Sequence, residues 1–209
     1  MEKFDFKKAY PELYAPKRGD FSLVEVPALQ YLAYDGHGDP NTSAEYAGAL
    51  GCLYPTAYAV KFASKQNLER DFTVAPLEGQ WRAADMEAFT RGDKNSWDWT
   101  MLVAQPPWIT QDLVLAAVDA VRKKKNPPGL DKVCLRTLAE GTSVQILYFG
   151  SYDAEGPVLQ RLHRQWMPAH GLTFNGDHHE IYLSDPRRTA PEKLRTVLRQ
   201  PVRPLGPSD

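Results

Sequence analysis

The stretch TSAEYAGALGCLYPTAYAVKFAS, residues 42–64, carries the clearest secondary-structure signal in the chain. Thr42 and Glu45 have the spacing of a capping box, in which two side chains bind the open backbone groups at a helix start. The apolar residues that follow recur at steps of four and three, as one stripe: Tyr46, Leu50, Leu53, Ala57 and Val60. We therefore predict a helix over about residues 43–64 that packs this stripe against a sheet.

Strands flank this helix, and the same order of elements returns later in the chain. Upstream, FSLVEVPALQYLAYDG is strand-like and broken at Pro27; downstream, DFTVAPL and WDWTMLVAQP have the composition of two further strands. A second set of segments then repeats the order strand, helix, strand, strand: TSVQILYFG, a helix over about residues 153–169, HHEIYLSD and LRTVLRQPV. The two sets share little sequence, so the repeat is one of architecture.

This order predicts an α+β fold in a single domain over residues 1–209. The domain is built of two strand–helix–strand–strand (SHS2) repeats, about residues 21–105 and 143–202, with a helix and a strand inserted between them. In the insertion, Thr110 caps a helix that turns these residues inward: Leu113, Ala117, Val118 and Val121. Two such repeats side by side form an antiparallel sheet with helices on one face. We expect a ligand groove on the other face, along the pseudo-twofold axis.

Composition removes several classes of function. Lys and Arg number 25 against 26 Asp and Glu, a net charge of −1, so no basic field favours nucleic acid as a direct partner. No apolar run is long enough to cross a membrane, and MEKFDFKKAY has no secretory core. The two cysteines, Cys52 and Cys134, show neither metal-ligand spacing nor a disulfide framework. We expect a cytoplasmic protein; the sequence leaves its oligomeric state open.

The segment HHEIYLSDPR, residues 178–187, raises the question of a site. Strand alternation places Ile181 and Leu183 on a core face, and His178, Glu180 and Tyr182 on the opposite face. A carboxylate beside an imidazole and a phenol becomes chemically useful if that face lines a cavity. The alternative is a surface or structural carboxylate paired with a base such as Arg187.

Other aromatic and acidic residues are weaker candidates. Trp97 and Trp99 alternate on one strand face, where they either form core or provide a wall for a flat ligand. In PLEGQW, Glu78 and Trp81 follow a proline at the predicted rim of the groove; the alternative for Glu78 is a turn carboxylate. Tyr148 can donate its phenolic hydrogen to a substrate carbonyl.

Metal, nucleotide and serine-hydrolase chemistry find no support in the motifs. Adjacent His178 and His179 point to opposite faces of a regular strand and cannot both bind one ion. No G-x-S-x-G elbow, Walker motif or dinucleotide fingerprint occurs. We predict neither a metal site nor a cofactor.

An ordered set of segments resembles the GyrI-like small-molecule-binding family, specifically its stand-alone members. The resemblance covers about residues 8–203, and the segments that carry it are YDGHGDPN, VAPLEGQW, WDWTMLVAQP, EGTSVQILYFGSYDAE and HHEIYLSDPRRTAPEKLRTVLRQPV. The resemblance implies the SHS2 dyad and a Glu, here Glu180, that projects into an aromatic cleft. Relatives often carry His at the position of Tyr148, which is a departure from their pattern. Relatives include drug-sensing domains of transcription regulators and proteins that hydrolyse the cyclopropane ring of DNA-alkylating cyclopropanoid toxins.

Three functions follow as hypotheses. In the first, the protein detoxifies cyclopropanoids: aromatic side chains hold the flat substrate, a phenol or indole donor polarises its carbonyl, and Glu180, with Glu78, deprotonates the attacking water. In the second, it binds or sequesters lipophilic aromatic compounds, including multiple drugs, without turnover. The third is a protein interaction of the gyrase-inhibitor kind, for which the family name is the only support.

Overall fold

The computed structural model describes residues 3–16, 19–83 and 94–206. The chain forms two compact units: unit 1 comprises Met1–Ala9 and Leu29–Leu138, and unit 2 comprises Tyr10–Ala28 and Ala139–Asp209. The helices of the described residues are α1 (Phe6–Ala9), α2 (Pro11–Tyr14), α3 (Ala44–Asn67), α4 (Gln111–Lys124), α5 (Gly156–Arg161) and α6 (Met167–Ala169). Their strands are β1 (Ser22–Val26), β2 (Leu29–His37), β3 (Leu77–Ala83), β4 (Trp97–Gln105), β5 (Cys134–Leu138), β6 (Gly141–Phe149), β7 (Leu172–Phe174), β8 (His178–Tyr182) and β9 (Arg195–Pro204).

Unit 1 holds an antiparallel sheet in the order β5-β2-β4-β3. Thr100 of β4 lies opposite Asp35 of β2 and Gln80 of β3, which fixes the register of the three strands. Helix α3 packs against β2 and β4, and α4 packs against α3. The core of this unit therefore lies between one sheet face and α3.

Unit 2 holds a second antiparallel sheet in the order β1-β6-β9-β8, with β7 paired to the end of β9. Leu198 of β9 lies opposite Ile146 of β6 and Glu180 of β8. Helices α5 and α6 are joined by a π-helical turn, Leu162–Trp166, in which the Met167 N–H donates to the Leu162 carbonyl. Leu162 and Met167 pack on the sheet and complete the core of this unit.

The α+β class and the antiparallel pairing are confirmed. Each unit contains a strand, a helix and two strands in which the last strand pairs with both others: β2-α3-β3-β4 and β6-α5/α6-β8-β9. The segment broken at Pro27 is divided between the units, because Ser22–Val26 belongs to unit 2 and Leu29–His37 to unit 1. A proline has no N–H to donate to a ladder, so the change of sheet occurs there.

The central helix begins one residue later than the capping-box pattern predicts. The N-cap is Ser43, whose hydroxyl accepts from the Tyr46 backbone N–H, and Thr42 lies outside the helix. The side of α3 against the sheet also includes small residues that the apolar stripe left out, among them Ala49, Cys52 and Thr56. Ser and Thr are comparable caps, so residue preference alone does not choose between neighbours.

Two other predicted elements shift in position. The strand expected over DFTVAPL begins only at Leu77 and runs to Ala83, while Phe72 makes an isolated bridge with Phe4. Pro76 precedes this strand, where its missing N–H costs no ladder bond. In α4 the Thr110 cap is confirmed, but Val114 is buried where Leu113 was expected to be. The remainder of the predicted polar connection, residues 84–93, lies outside the described residues.

No helix within the described ranges combines the length and apolar character needed to cross a membrane.

Candidate functional site

Strand β8 brings three of the predicted site residues to one face of the unit 2 sheet. His178, Glu180 and Tyr182 alternate with His179 and Ile181, which are fully buried on the other face. The alternation read from HHEIYLSDPR is therefore confirmed. The predicted alternative partner, Arg187, forms its ion pair with Asp185, two residues away.

The carboxylate of Glu180 lies beside the imidazole of His178. The Nε2 atom of His178 is 3.3 Å from Oε1 of Glu180, and the two side chains are 8% and 12% exposed. This distance is that of an ion pair, but the angles are not those of a formed hydrogen bond. Neither ring nitrogen of His178 has a hydrogen-bond partner within the described part of the chain. The two side chains are thus close together and largely shielded from solvent, but no hydrogen bond joins them.

A second imidazole faces this pair from the helical segment. His163 lies in the π-helical turn, and its ring is 6.4 Å from the His178 ring and 4.9 Å from the Phe174 ring, between centroids. Burial lowers the pKa of His163 to about 4, with a further contribution from His178, while Gln200 acts in the opposite direction. His163 is therefore neutral at neutral pH. Sequence reasoning had placed this residue on a regular α-helix and gave it no role.

Aromatic side chains surround the same face. The Tyr182 ring is 5.5 Å from that of Tyr152 in an edge-to-face arrangement. Tyr148 is half-buried, and its hydroxyl donates to the Ser151 carbonyl at 3.2 Å. Gly150 has a φ of 151°, and a Cβ there would overlap the Tyr148 hydroxyl, so this close approach requires glycine. Burial raises the pKa of Tyr148, and the charge of Glu155 adds to the shift. The phenolic hydrogen of Tyr148, which was predicted to polarise a substrate carbonyl, is therefore donated to the Ser151 carbonyl three residues later.

Apart from Glu78, the predicted site residues lie on the helix-bearing face of each sheet rather than on the opposite face. In unit 2, Tyr148 packs on the cluster that contains Leu162 and Met167. In unit 1, Tyr46 of α3 stacks on Trp81 at 6.4 Å between centroids. A helix covers only part of a sheet face. Polar side chains beside the helix can therefore lie on the same sheet face as the apolar core.

Three of the tryptophans of unit 1, Trp81, Trp97 and Trp99, form one aromatic cluster with Tyr46. The Trp81 and Trp97 rings are 5.7 Å apart, and the Trp99 ring is 5.3 Å from Tyr46. Trp99 is fully buried, and its Nε1 donates to the Gly38 carbonyl at 3.1 Å. A Cβ at Gly36 would overlap the indole. Trp99 is therefore part of the core, which was the alternative to a ligand wall, while Trp97 is half-buried.

The structure separates Glu78 from these aromatic rings. Glu78 lies opposite Leu102, and Trp81 opposite Trp99, so Glu78 and Trp81 face opposite sides of the sheet. Glu78 is also fully buried, unlike a turn carboxylate at a rim. The sequence places Glu78 and Trp81 after a proline at the groove rim, and the structure places both within β3, which begins at Leu77.

A buried charged network on the second face of unit 2 had no signal in the sequence. Glu140 Oε1 is 2.8 Å from Nδ1 of His179, and its Oε2 is 3.4 Å from Nη1 of Arg199. Arg199 also donates to the Leu13 carbonyl at 3.1 Å and to Gln145 Oε1. The network ties the segment that carries α2 to the central strand of its sheet. Its members come from distant parts of the chain, so spacing could not predict it.

Among the described residues, no group of three or more His, Cys, Asp or Glu is placed to hold a metal ion. Cys52 and Cys134 are free thiols.

Comparison with protein families explains this arrangement. Residues 19–203 match the model of the GyrI-like small molecule binding domain. The chain belongs to this family. Its fold class and the family description agree with a small molecule as the ligand of this GyrI-like domain.

Solved structures show the same relationship. The crystal structure of an uncharacterized conserved protein from Listeria innocua has a TM-score of 0.88 at 38% identity, covering 96% of this chain and 100% of that chain. A hydrolase from Listeria innocua has a TM-score of 0.84 at 36% identity, with the same coverage of 96% and 100%. The EcmrR C-terminal domain, at 11% identity, a TM-score of 0.57 and coverage of 89% and 98%, shows the fold alone. No curated protein matches the chain.

Proposed function

We propose that this GyrI-like protein is a cofactor-independent hydrolase of flat, lipophilic aromatic compounds with a strained electrophilic ring. The observation that carries the proposal is the Glu180 carboxylate, shielded from solvent and 3.3 Å from the His178 imidazole. Support also comes from the hydrolase of Listeria innocua at 36% identity. The substrate class that the family resemblance implies is the cyclopropanoid DNA-alkylating toxins, and the role is detoxification.

The proposed chemistry begins with one water molecule. Glu180 accepts a proton from the water as its oxygen attacks the ring carbon of the cyclopropane, and the breaking carbon–carbon bond sends its electron pair to the conjugated carbonyl oxygen. Tyr182 lies on the same strand face as Glu180 and packs edge to face with Tyr152, and these two rings offer faces and edges to a flat substrate. A general base of this kind typically contributes on the order of 10²- to 10⁴-fold to a rate.

Incubation with a spiro-cyclopropyl cyclohexadienone of the duocarmycin kind tests this proposal. Mass spectrometry should show addition of one water at a rate above that of buffer and of heat-denatured protein. Glu180→Gln keeps shape and hydrogen-bonding reach but cannot take the proton, so kcat should fall by about 10²- to 10⁴-fold with the Kd little changed. The control is Glu192→Gln, at an exposed carboxylate, which should keep the wild-type rate, and Glu78→Gln tests the alternative base. If Glu180→Gln retains the wild-type rate, Glu180 is not the base, and loss of rate in Glu78→Gln would transfer the role.

The second candidate function is ligand binding without turnover, which the family description itself favours. In that case wild-type protein gives no water adduct above background. Glu180→Gln then weakens affinity, most for cationic aromatic ligands that a carboxylate and ring faces attract. Isothermal titration with a cationic and a neutral ligand of equal size measures this difference.

A further inference from the structure

We propose that His178 is a second catalytic residue, which relays a proton from the Glu180 carboxyl group to the oxygen of the opening substrate. This inference rests on the proposed hydrolase function and deepens it. The sequence assigned His178 only to ligand contact and gave the donor role to Tyr148.

The state of the His178 ring is the first argument. The residue is 8% exposed, and both Nδ1 and Nε2 are buried without a hydrogen bond to the described residues. Buried polar atoms in folded proteins are nearly always hydrogen-bonded, because an unpaired one has lost its bonds to water without replacement. His178 therefore offers one donor and one acceptor to a molecule that enters beside it.

The position of Glu180 is the second argument. Its Oε1 is 3.3 Å from Nε2 of His178, a separation that a small rotation of either side chain converts into a hydrogen bond. A neutral imidazole accepts at one nitrogen and donates at the other. With Nε2 facing the carboxyl group, Nδ1 is left to face the substrate.

The proton balance closes through this contact. Glu180 takes a proton from water, and the hydroxide oxygen bonds to the ring carbon while the cyclopropane bond breaks toward the carbonyl oxygen. In the tautomer that carries its hydrogen on Nδ1, His178 accepts the proton of Glu180 at Nε2, and the imidazolium that results gives its Nδ1 proton to that oxygen. Transfer of the proton between the ring nitrogens, by tautomer exchange through solvent, restores the starting state. One water is consumed and no other reactant is needed.

Neighbouring groups permit this role. Tyr148 donates to the Ser151 carbonyl, so its hydrogen is engaged elsewhere. His163 faces His178 at 6.4 Å and is neutral at neutral pH, since burial holds its pKa at about 4. A neutral ring does not oppose the transient positive charge on His178.

Three variants test the relay with the same spiro-cyclopropyl cyclohexadienone. His178→Gln retains a polar side chain but cannot relay a proton; kcat should fall by about 10²-fold or more, with the Kd within a few-fold of wild type. His178→Ala should lose the same rate and regain part of it when imidazole is added to the buffer. His170→Ala, at an exposed histidine, is the control and should keep the wild-type rate.

The outcomes separate the two proposals. Absence of turnover by the wild-type protein overturns the hydrolase function and the relay with it. Turnover by wild type together with an undiminished kcat in His178→Gln overturns the relay alone. A fall in rate that imidazole does not restore and that matches a loss of binding identifies His178 as structural, which also overturns the relay. Thermal unfolding of each variant shows that the comparison is made on folded protein.

Discussion

The carboxylate of Glu140 lies in the interior of unit 2 between His179 and Arg199. Burial raises the pKa of this carboxyl group, but the two bases outweigh burial and hold it at about 2, against an ordinary value of 4.5. Between these pH values the unfolded chain binds more protons than the folded one. The stability contributed by Glu140 is therefore complete above pH 4.5 and is lost as the pH falls toward 2; it amounts to about 3 kcal/mol.

Glu140→Gln tests this contribution. At pH 7 we expect a loss of unfolding free energy of about 3 to 5 kcal/mol, because Arg199 remains buried without a carboxylate. The difference in unfolding free energy between Glu140→Gln and wild type should decrease steadily as the pH falls from 4.5 to 2. Urea unfolding at several pH values measures both quantities, and Glu192→Gln, at an exposed carboxylate, is the control. A difference that is constant with pH would contradict the assigned role.

The sheet face on which a single side chain lies could be predicted from the sequence only where the alternation of residues along a strand determines it. Glu180 and His178 were placed on a common face because two-residue periodicity needs no tertiary information. Trp99 was left between core and site, and its burial depends on Gly36 of the neighbouring strand. The engagement of Tyr148 by Ser151 depends on a tight turn at Gly150, which alternation does not describe.

At the scale of secondary-structure elements, the start of α3 is set by one hydroxyl. Ser43 caps the helix through the Tyr46 N–H, while Thr42 is exposed outside it. Ser43→Ala should lower the unfolding free energy by about 1 kcal/mol, because an N-terminal backbone donor loses its partner. The adjacent Thr42→Ala is the matched control and should stay within about 0.5 kcal/mol of wild type. Chemical denaturation measures the unfolding free energy of both variants. A larger loss in Thr42→Ala than in Ser43→Ala would show that Thr42, as in the capping-box pattern, is the N-cap.

Elements were predicted well where helical periodicity is long and poorly where a proline or an irregular turn intervenes. The helices α3 and α4 follow their apolar stripes, with ends displaced by a few residues. The segment after Arg161 was predicted as continuous α-helix, but five residues form a π-helical turn. A π-helical turn is rare and has no residue signature of its own, so the sequence pattern of a helix over residues 153–169 could not reveal it.

At the scale of the whole molecule, the two units share one pairing scheme. In each, the final strand lies between the first and the third: β4 between β2 and β3, and β9 between β6 and β8. We predict that residues 29–105 and 143–204 superpose with β4 on β9 and α3 on the α5–α6 segment. Absence of this correspondence, or strands of opposite direction after superposition, would contradict the internal repeat.

The order of elements predicts such a repeat, since strand and helix signals survive when sequence identity does not. The edge strands could not be assigned in the same way. β1 pairs with β6, over a hundred residues later in the chain, and β5 pairs with β2. Long-range pairing depends on which edge is open after each unit forms, and that information is not local.

The complete burial of Trp99 has a consequence for spectroscopy. An indole with no exposed surface and a hydrogen bond to the Gly38 carbonyl emits at short wavelength, and dissolved quenchers such as acrylamide do not reach it. Its fluorescence reports unfolding of unit 1, whereas the half-buried indoles of Trp97, Trp108 and Trp166 dominate the quenchable signal. A titration followed by tryptophan emission therefore contains a constant background from Trp99, and subtracting the unquenchable fraction isolates the rings that a small molecule can reach.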